Sequence, residues 1–268
     1  MHPRVCVSAI SSFRNTLAED LELWERHGIT TVGVSVAKLE AHGWDEGIAA
    51  ISGAGVRVAN LIGLGPFTLA EPSGWVEQQQ RLLRALDAAI RLDAECLVFT
   101  TGPAGSLTWE HAADALDAAT GPVRSEAGRL GIPFALEHTN SLRVDVGFVH
   151  TLRDAVDLAR RLDVGVCMEI NACWAERALH QTVAESVDVI RLVQVSDYRI
   201  GTLSTPARLV PGDGDVPIRR ILRTLLAAGY DGVFDLELIG PAIEDEGYDT
   251  AIPRAVDVLG DLLASLGA

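Results

Sequence analysis

One complete strand unit is visible in the segment Gly131-Ile-Pro-Phe-Ala-Leu-Glu-His-Thr-Asn140. A glycine ends the preceding helical pattern, a short apolar run follows at once, and that run ends in a carboxylate. Apolar runs follow Gly28, earlier in the chain, and the segment Gly229–Gly232, later in the chain, in the same way. A glycine at a helix C-terminus followed directly by an apolar run is typical of chains that alternate helices with buried parallel strands.

Eight short apolar runs, including these, occur along the chain, and we interpret them as strands. They are rich in Val, Ile and Phe and apolar almost throughout, as parallel strands covered by helices are. The predicted strands are Arg4–Ile10, Thr30–Val36, Val56–Ile62, Glu95–Thr101, Pro133–Thr139, Val164–Ile170, Val189–Ser196 and Gly232–Ile239.

Amphipathic segments lie between the predicted strands, and their apolar spacing indicates helices. The first begins with Thr16 and Glu19, which match a capping box, and ends at Gly28. We expect the segment from Thr108 to Leu130 to be interrupted near Gly121-Pro122, because proline breaks helix interiors. The other clear helical segments are Gln78–Leu92, Leu152–Leu162, Ile218–Ala228 and Ile252–Leu266.

Eight strand-then-helix units without a linker predict an α/β fold, a (β/α)8 TIM barrel that forms a single domain over residues 1–268. A length of 268 residues suits such a barrel. A doubly wound sheet is the alternative. It is disfavoured because no G-x-G-x-x-G sequence follows the first predicted strand.

The net charge of the chain disfavours some classes of binding partner. The 22 Lys and Arg residues face 37 Asp and Glu residues, which gives a net charge of −15. Such a surface repels nucleic acid and anionic membranes, so we expect neither as a partner. The start of the chain lacks the long apolar region of a secretion signal, and the four cysteines form no C-x-x-C pair. We therefore expect a cytoplasmic protein with reduced core cysteines.

Polar side chains end the last four predicted strands. Glu137, Glu169, Gln194 and Glu237 stand at comparable positions on four consecutive strands. Strand residues alternate between faces, and inward placement of Glu137 and Glu237 puts their large apolar neighbours outside, against helices. In TIM barrels the carboxyl ends of the strands carry the active site. We also expect Asp235 one layer below Glu237, where it needs a partner.

Three convergent carboxylates repel one another, and a divalent cation would remove that cost. Oxygen-only ligation by Glu137, Glu169, Glu237 and the Gln194 carbonyl favours Mn²⁺ or Mg²⁺, with Co²⁺ or Zn²⁺ as further candidates. The alternative is that an Arg or Lys neutralises one or more of the acids across the barrel.

The motifs resemble those of the xylose isomerase-like TIM barrels, which include sugar isomerases, ketose 3-epimerases and inosose dehydratases. Glu137-His-Thr-Asn140 resembles the Glu-x-x-Asn that ends the fifth strand of the epimerases, and Glu169 resembles the acid that ends the sixth. Relatives carry a further acid in the loop after the sixth strand, and Glu176 resembles it.

The later motifs of the family are also recognisable. Arg208, followed by Pro211-Gly-Asp-Gly214, resembles an Arg before a Pro-Gly-x-Gly turn, and Glu237 resembles the acid that ends the eighth strand. Two positions depart from the family pattern. Ala172 replaces a histidine, and Gln194 replaces a histidine that is a metal ligand in relatives, so this chain offers a weaker neutral oxygen.

The resemblance implies a metal-dependent isomerase or epimerase that acts on a sugar or related polyhydroxy carbonyl compound. It implies proton abstraction next to the carbonyl, with Glu137 and Glu237 as the acid–base pair. Dehydration or another β-elimination of a keto-sugar or inosose stays open, as does a barrel that has lost metal and catalysis. A DNA-repair endonuclease, found on the same fold, is disfavoured by the few histidines and the negative charge.

The same resemblance implies a small-molecule substrate, and a homo-oligomer is compatible with it. We interpret Asn140 and Glu176 as partners of substrate hydroxyls. Trp174, in the loop after Glu169, is a candidate to stack on a ring, with a rim or interface position as the alternative. Arg208 is expected either to bind a substrate oxygen or to pair with an acid.

Overall fold

The sheet closes on itself, with each strand parallel to its neighbours and the first paired to the last. The structure is a computed structural model of residues 1–268, and it describes every residue except for the side chain of Leu64. Within these described residues the chain forms eight strands, which confirms the predicted barrel. The strands are β1 (Val5–Ser8), β2 (Thr31–Ser35), β3 (Arg57–Leu64), β4 (Leu97–Thr100), β5 (Phe134–Glu137), β6 (Gly165–Glu169), β7 (Ile190–Val195) and β8 (Phe234–Leu236).

Helices follow each strand and cover the outside of the barrel. One long helix follows β1, β3, β4, β5 and β7, and two follow each of the other strands. The helices are α1 (Leu17–His27), α2 (Val36–His42), α3 (Trp44–Gly53), α4 (Trp75–Arg91), α5 (Trp109–Leu130), α6 (Leu152–Leu162), α7 (Ile170–Cys173), α8 (Leu179–Ser186), α9 (Ile218–Ala227), α10 (Pro241–Glu246) and α11 (Tyr248–Ser265). None of the described helices combines the length and apolar composition that a membrane crossing requires.

Helix α1 begins and ends as its sequence predicts. The Thr16 hydroxyl accepts a hydrogen bond from the Glu19 backbone N–H, and the Glu19 carboxylate accepts one from the Thr16 N–H at 2.7 Å. Gly28 closes the helix with φ 61°, a conformation that glycine adopts without strain. The capping box is therefore confirmed.

The expected interruption at Gly121-Pro122 is wrong, because α5 runs unbroken through both residues. A proline normally drives the preceding residue out of the α region by clashing with its Cβ, and Gly121 has none. Pro122 still lacks the N–H that a helix interior uses. In the same turn, the Ala119 carbonyl accepts a hydrogen bond from the Gln79 side chain of α4 at 2.8 Å.

Two apolar layers fill the molecule. The outer layer packs strand side chains such as Phe134, Leu136 and Phe234 against the helices. The inner layer lies inside the barrel and consists of Cys6, Ala59, Ile62, Cys96, Val98, Ala135, Cys167, Leu192 and Val233. The alternation places Ala135 and Val233 inside, so Glu137 and Glu237 follow them on the inner face.

Candidate active site at the barrel mouth

Three carboxylates converge at the carboxyl ends of the strands. Glu137 and Glu169 are the last residues of β5 and β6, and Glu237 follows β8 directly. One oxygen from each lies within 4.8 Å of the others, and their exposed fractions are 8%, 3% and 6%. The structure thus brings together three of the four residues that the sequence places around a cation.

Arg208, from the loop between β7 and α9, contacts two of these acids. Its Nη1 lies 2.6 Å from Glu237 Oε2, and its Nη2 forms a salt bridge with Glu169 Oε2. Nη1 also donates to the Glu237 backbone carbonyl at 3.1 Å. Of the two roles left open for Arg208, the structure shows the pairing with acids. No salt bridge to Glu137 occurs among the described side chains.

Burial dominates the electrostatics of the cluster. Desolvation raises the pKa of Glu137 well above its usual range, and the charges of Glu237 and Glu169 raise it further. Desolvation also raises the pKa of Glu169 to about 7, although Arg208 opposes that shift. For Arg208, burial lowers the pKa, but Glu169 and Glu237 outweigh burial and raise it overall.

The donor set fits a divalent cation. Three ionised carboxylates and one guanidinium leave a formal charge of −2, which a divalent cation would cancel. Oxygens on opposite sides of such an ion, each about 2.0–2.6 Å from it, lie roughly 4–5 Å apart. The mutual spacing within 4.8 Å agrees with that geometry. Arg208 contacts neither carboxylate oxygen of Glu137 and only one of the two carboxylate oxygens of Glu237.

Gln194 lies beside the cluster on β7, paired in register with Glu169 on one side and Asp235 on the other. Its side chain is fully buried, and neither its amide oxygen nor its amide nitrogen has a hydrogen-bond partner among the described residues. Buried amides are normally hydrogen-bonded, whereas this one has no protein partner and does not line the mouth cavity.

His138 supports the cluster from behind. Its Nε2 accepts a hydrogen bond from the Glu169 backbone N–H at 3.2 Å. Burial, with a smaller contribution from His150, lowers the pKa of His138 to about 3, so the ring is neutral and can accept. Through this hydrogen bond the ring supports the end of β6.

Asp235 lies one layer below Glu237 and has the partner that the sequence analysis requires. Asn60, from β3, donates from Nδ2 to Asp235 Oδ2 at 3.3 Å. Gly33 makes room for this amide, since a Cβ at Gly33 would lie 2.8 Å from Asn60 Oδ1. Burial raises the pKa of Asp235 to about 7. The sequence reasoning missed Asn60, whose position within the apolar run Val56–Ile62 was the available signal.

Trp174 and Glu176 do not reach the barrel mouth. Both line a separate cavity of about 220 Å³, which also borders α8 and α9. Glu176 Oε1 accepts a hydrogen bond from the Leu152 N–H at 2.7 Å and so stabilises the start of α6. Neither residue lines the mouth cavity, so the structure does not place these two candidates beside the carboxylates.

The mouth itself is a cavity of about 470 Å³. Asn140 lines it, although its Oδ1 already accepts a hydrogen bond from the Leu142 N–H at 2.9 Å. Sequence reasoning missed further polar lining residues, of which Arg143 follows Asn140 by three positions and Asn171 follows Glu169 by two. The polar lining consists of Thr100, Glu137, Thr139, Asn140, Arg143, Glu169, Asn171, Thr205, Arg208 and Glu237.

Several solved structures share the fold of this chain. Protein SMc04130 from Sinorhizobium meliloti 1021 is 22% identical, with a TM-score of 0.85 over 98% of each chain. An IolI protein with a binding zinc atom is 17% identical, with a TM-score of 0.83 over 98% of this chain and 99% of IolI. The 3-keto-D-glucoside 4-epimerase YcjR from E. coli is 18% identical, with a TM-score of 0.72 over 98% of each chain. At these identities the likeness shows the fold alone.

A sequence comparison with curated proteins finds no match. The model of one protein family, described as xylose isomerase-like TIM barrel, matches residues 21–259. That range includes the ends of β5, β6 and β8, which carry the carboxylate cluster, and leaves out β1. The chain therefore belongs to the xylose isomerase-like TIM barrel family.

Proposed function

We propose that residues 1–268 form one domain with divalent-metal-dependent isomerase or epimerase activity on a sugar or related polyhydroxy carbonyl compound. The observation that carries the proposal is the buried cluster of Glu137, Glu169 and Glu237, whose formal charge Arg208 only partly cancels. Such a cluster is costly unless a ligand or cation compensates it. Further support comes from fold neighbours that bind zinc or carry the name of a sugar epimerase.

Glu137, Glu169, Glu237 and Gln194 are the residues that would hold the metal, with Mn²⁺ or Mg²⁺ favoured by their oxygen donors. When bound, the ion would stabilise negative charge that develops on the substrate oxygens. Arg208 holds the Glu169 and Glu237 carboxylates in place, and it carries a positive charge to the same end of the cavity.

Glu137 and Glu237 act as the acid–base pair in this proposal. Their environments differ, because Arg208 pairs with Glu237 while Glu137 has the strongly raised pKa. Different environments suit two carboxyl groups that exchange one proton with opposite sides of a substrate carbon. Return of the proton to the other face gives an epimer, and return to the neighbouring carbon gives an isomer. Loss of a β-substituent would make the enzyme a lyase.

One observation favours a second candidate, a barrel that binds its ligand without metal. Arg208 already pairs with two of the acids and cancels one of their charges, which is the alternative that the sequence leaves open. Metal analysis of protein purified without chelator separates the two candidates. About one equivalent of a divalent ion supports the enzyme, and its absence, with no activity after Mn²⁺ is added, supports the second candidate.

Exchange of a carbon-bound proton with D₂O tests the proposed chemistry directly. Ketoses, inososes and oxidised glycosides are incubated with the metal-loaded protein, and deuterium incorporation is followed by NMR. Glu137→Gln and Glu237→Gln should each reduce the exchange rate by at least about 100-fold, the usual size of a general acid–base contribution. Glu176→Gln is the matched control, since it makes the same change outside the mouth. Near-normal exchange in Glu137→Gln or Glu237→Gln removes that residue from its role.

A further inference from the structure

Helix α4 carries a row of apolar side chains on the side that faces solvent. Val76, Leu83 and Ile90 are exposed by 61%, 37% and 45%. No other helix in the described part of the chain exposes more than one large apolar side chain. A spacing of seven residues is about two helical turns, so the three side chains lie along one face. The face of α4 that packs into the protein is a different one, with Leu82 and Leu86.

This row borders a groove of about 500 Å³ between α4 and α5. Leu83 and Ile90 line the groove from α4, and Pro122 and Leu130 line it from α5. The charged lining residues are Asp87, Glu126 and Arg129. Apolar groups framed by charged ones are typical of a protein–protein contact surface, and a helix is one element that such a groove accommodates.

The exposed charges of α4 cancel one another. Glu77 and Asp87 are negative, and Arg84 and Arg91 are positive. The whole chain carries a net charge of −15, so two copies of it repel each other over much of their surface. A second copy can approach the neutral face of α4 with less of that repulsion.

The apolar row is symmetric about its middle member. Val76 and Ile90 lie equally far from Leu83, on either side of it. A two-fold axis beside Leu83 and perpendicular to α4 would bring Leu83 against its own copy and Val76 against Ile90 of the second copy. Every contact would occur twice, as in other two-fold interfaces. All three exposed side chains would then be covered.

The polar residues beside the row favour this antiparallel arrangement. Gln80 would lie beside Asp87 of the second copy and Glu77 near Arg91, with offsets of about 1.5 Å and about 3 Å along the helix axis. Arg91 contacts Asp45 and Asp87 through Nη1, and its guanidinium has two further nitrogens. A parallel pair would set Glu77, Asp87 and Arg91 each beside its own copy, where like charges repel.

We propose that α4 and the adjacent groove are a dimer interface, in which α4 of a second copy packs antiparallel with Leu83 on the two-fold axis. The exposed apolar groups are few, so the dimer is reversible and depends on protein concentration. This inference is independent of the proposed function, because α4 lies on the outside of the barrel and none of its residues lines the mouth.

Disulfide cross-linking tests the arrangement of the two helices. All four native cysteines are buried, so they give little background. Leu83→Cys should cross-link to its own copy. Val76→Cys alone and Ile90→Cys alone should not, because the two copies of either residue would lie about 21 Å apart along the axis. A mixture of those two variants should cross-link. Val258→Cys, at a 36% exposed position of α11, is the control and should not.

Analytical ultracentrifugation measures the dimer itself. Leu83→Glu would place two negative charges against each other on the axis, so it should raise the dissociation constant of the dimer by at least about 100-fold. Val258→Glu makes the same change in charge on α11 and should leave the constant unchanged. Both positions are exposed, so neither variant should unfold the protein, and circular dichroism checks this.

The inference is overturned if the wild-type protein is monomeric at millimolar concentration, or if Leu83→Glu dimerises as tightly as the wild type. A dimer in which Leu83→Cys forms no cross-link would also overturn it, since another face would then be in contact. Cross-linking of Val76→Cys to its own copy as fast as to Ile90→Cys would contradict the antiparallel arrangement.

Discussion

Arg208 contacts Glu237 at two points, the carboxylate at 2.6 Å and the backbone carbonyl at 3.1 Å, both through Nη1. The contact joins the loop between β7 and α9 to the end of β8. The Arg208 N–H adds a hydrogen bond to the Ile239 carbonyl at 3.0 Å. The same guanidinium reaches Glu169 on β6, so one loop residue links three neighbouring positions of the mouth.

Removal of Arg208 should destabilise the metal-free protein strongly. Arg208→Met leaves Glu169 and Glu237 buried without their charge partner, and loss of one member of a buried pair costs about 3–5 kcal/mol. Denaturant unfolding at pH 8 in the presence of chelator measures the free energy. Arg254→Met is the control, because Arg254 pairs with Asp213 and Glu246 at the surface and should cost about 1 kcal/mol or less. Equal losses in the two variants would contradict the assignment.

Metal binding should strengthen with rising pH around neutrality. The pKa of Glu169 is about 7, and a carboxyl group must lose its proton before it ligates an ion. The increase in Tm that Mn²⁺ produces should therefore be larger at pH 8 than at pH 6. Thermal unfolding with and without Mn²⁺ at both values checks this. A shift that is the same at pH 6 and pH 8 would show that no group of the site titrates in this range.

Gln194→Leu should separate metal binding from stability. Both amide atoms of Gln194 are buried without a protein partner, so an apolar side chain of similar size should leave the free energy of unfolding unchanged or raise it by about 1 kcal/mol. The affinity for Mn²⁺ should fall if the amide oxygen is a ligand. Chemical unfolding with chelator and calorimetric titration with Mn²⁺ measure the two quantities. Unchanged affinity would remove Gln194 from the ligand set.

Glu176→Gln should stabilise the protein at high pH. Burial raises the pKa of Glu176 to about 7 from an ordinary value near 4.5, so the folded state binds this proton more tightly than the unfolded state. The stabilisation from that proton is complete below about pH 4.5 and is lost as the pH rises through 7. Gln keeps the acceptor for the Leu152 N–H and carries no charge. The variant's Tm should match the wild type near pH 5 and exceed it at pH 8, and a constant difference would refute the shift.

Local patterns suffice to predict the barrel. Each strand is a short apolar run, and a glycine comes shortly before four of the eight, β2, β3, β5 and β8; these features depend on neighbours in the chain. Apart from β3, which runs past its predicted end to Leu64, the predicted strands exceed the observed ones by a few residues at their ends, as at Val36. There Ser35 ends β2 and caps α2 at once, with its hydroxyl accepting from the Lys38 N–H. Val36 is apolar and fits either a strand or a helix, so its residue type does not show where β2 ends.

The acids of the site could be predicted because they lie on strands, where alternation fixes the direction of each side chain. The directions of side chains on loops could not be predicted in this way. Arg208 lies beyond the end of β7, and nothing in its sequence neighbourhood tells whether it turns towards substrate or towards Glu169. Glu176 and Trp174 are close to Glu169 in the chain, but they line another cavity, beside α8 and α9.

The inner layer of the barrel has a practical consequence. Cys6, Cys96 and Cys167 lie inside the closed sheet, Cys173 is buried in α7, and burial raises the pKa of all four thiols. Alkylating reagents need both access and thiolate. The native state should therefore resist labelling, and the rate at which the thiols react should report how often the whole barrel opens.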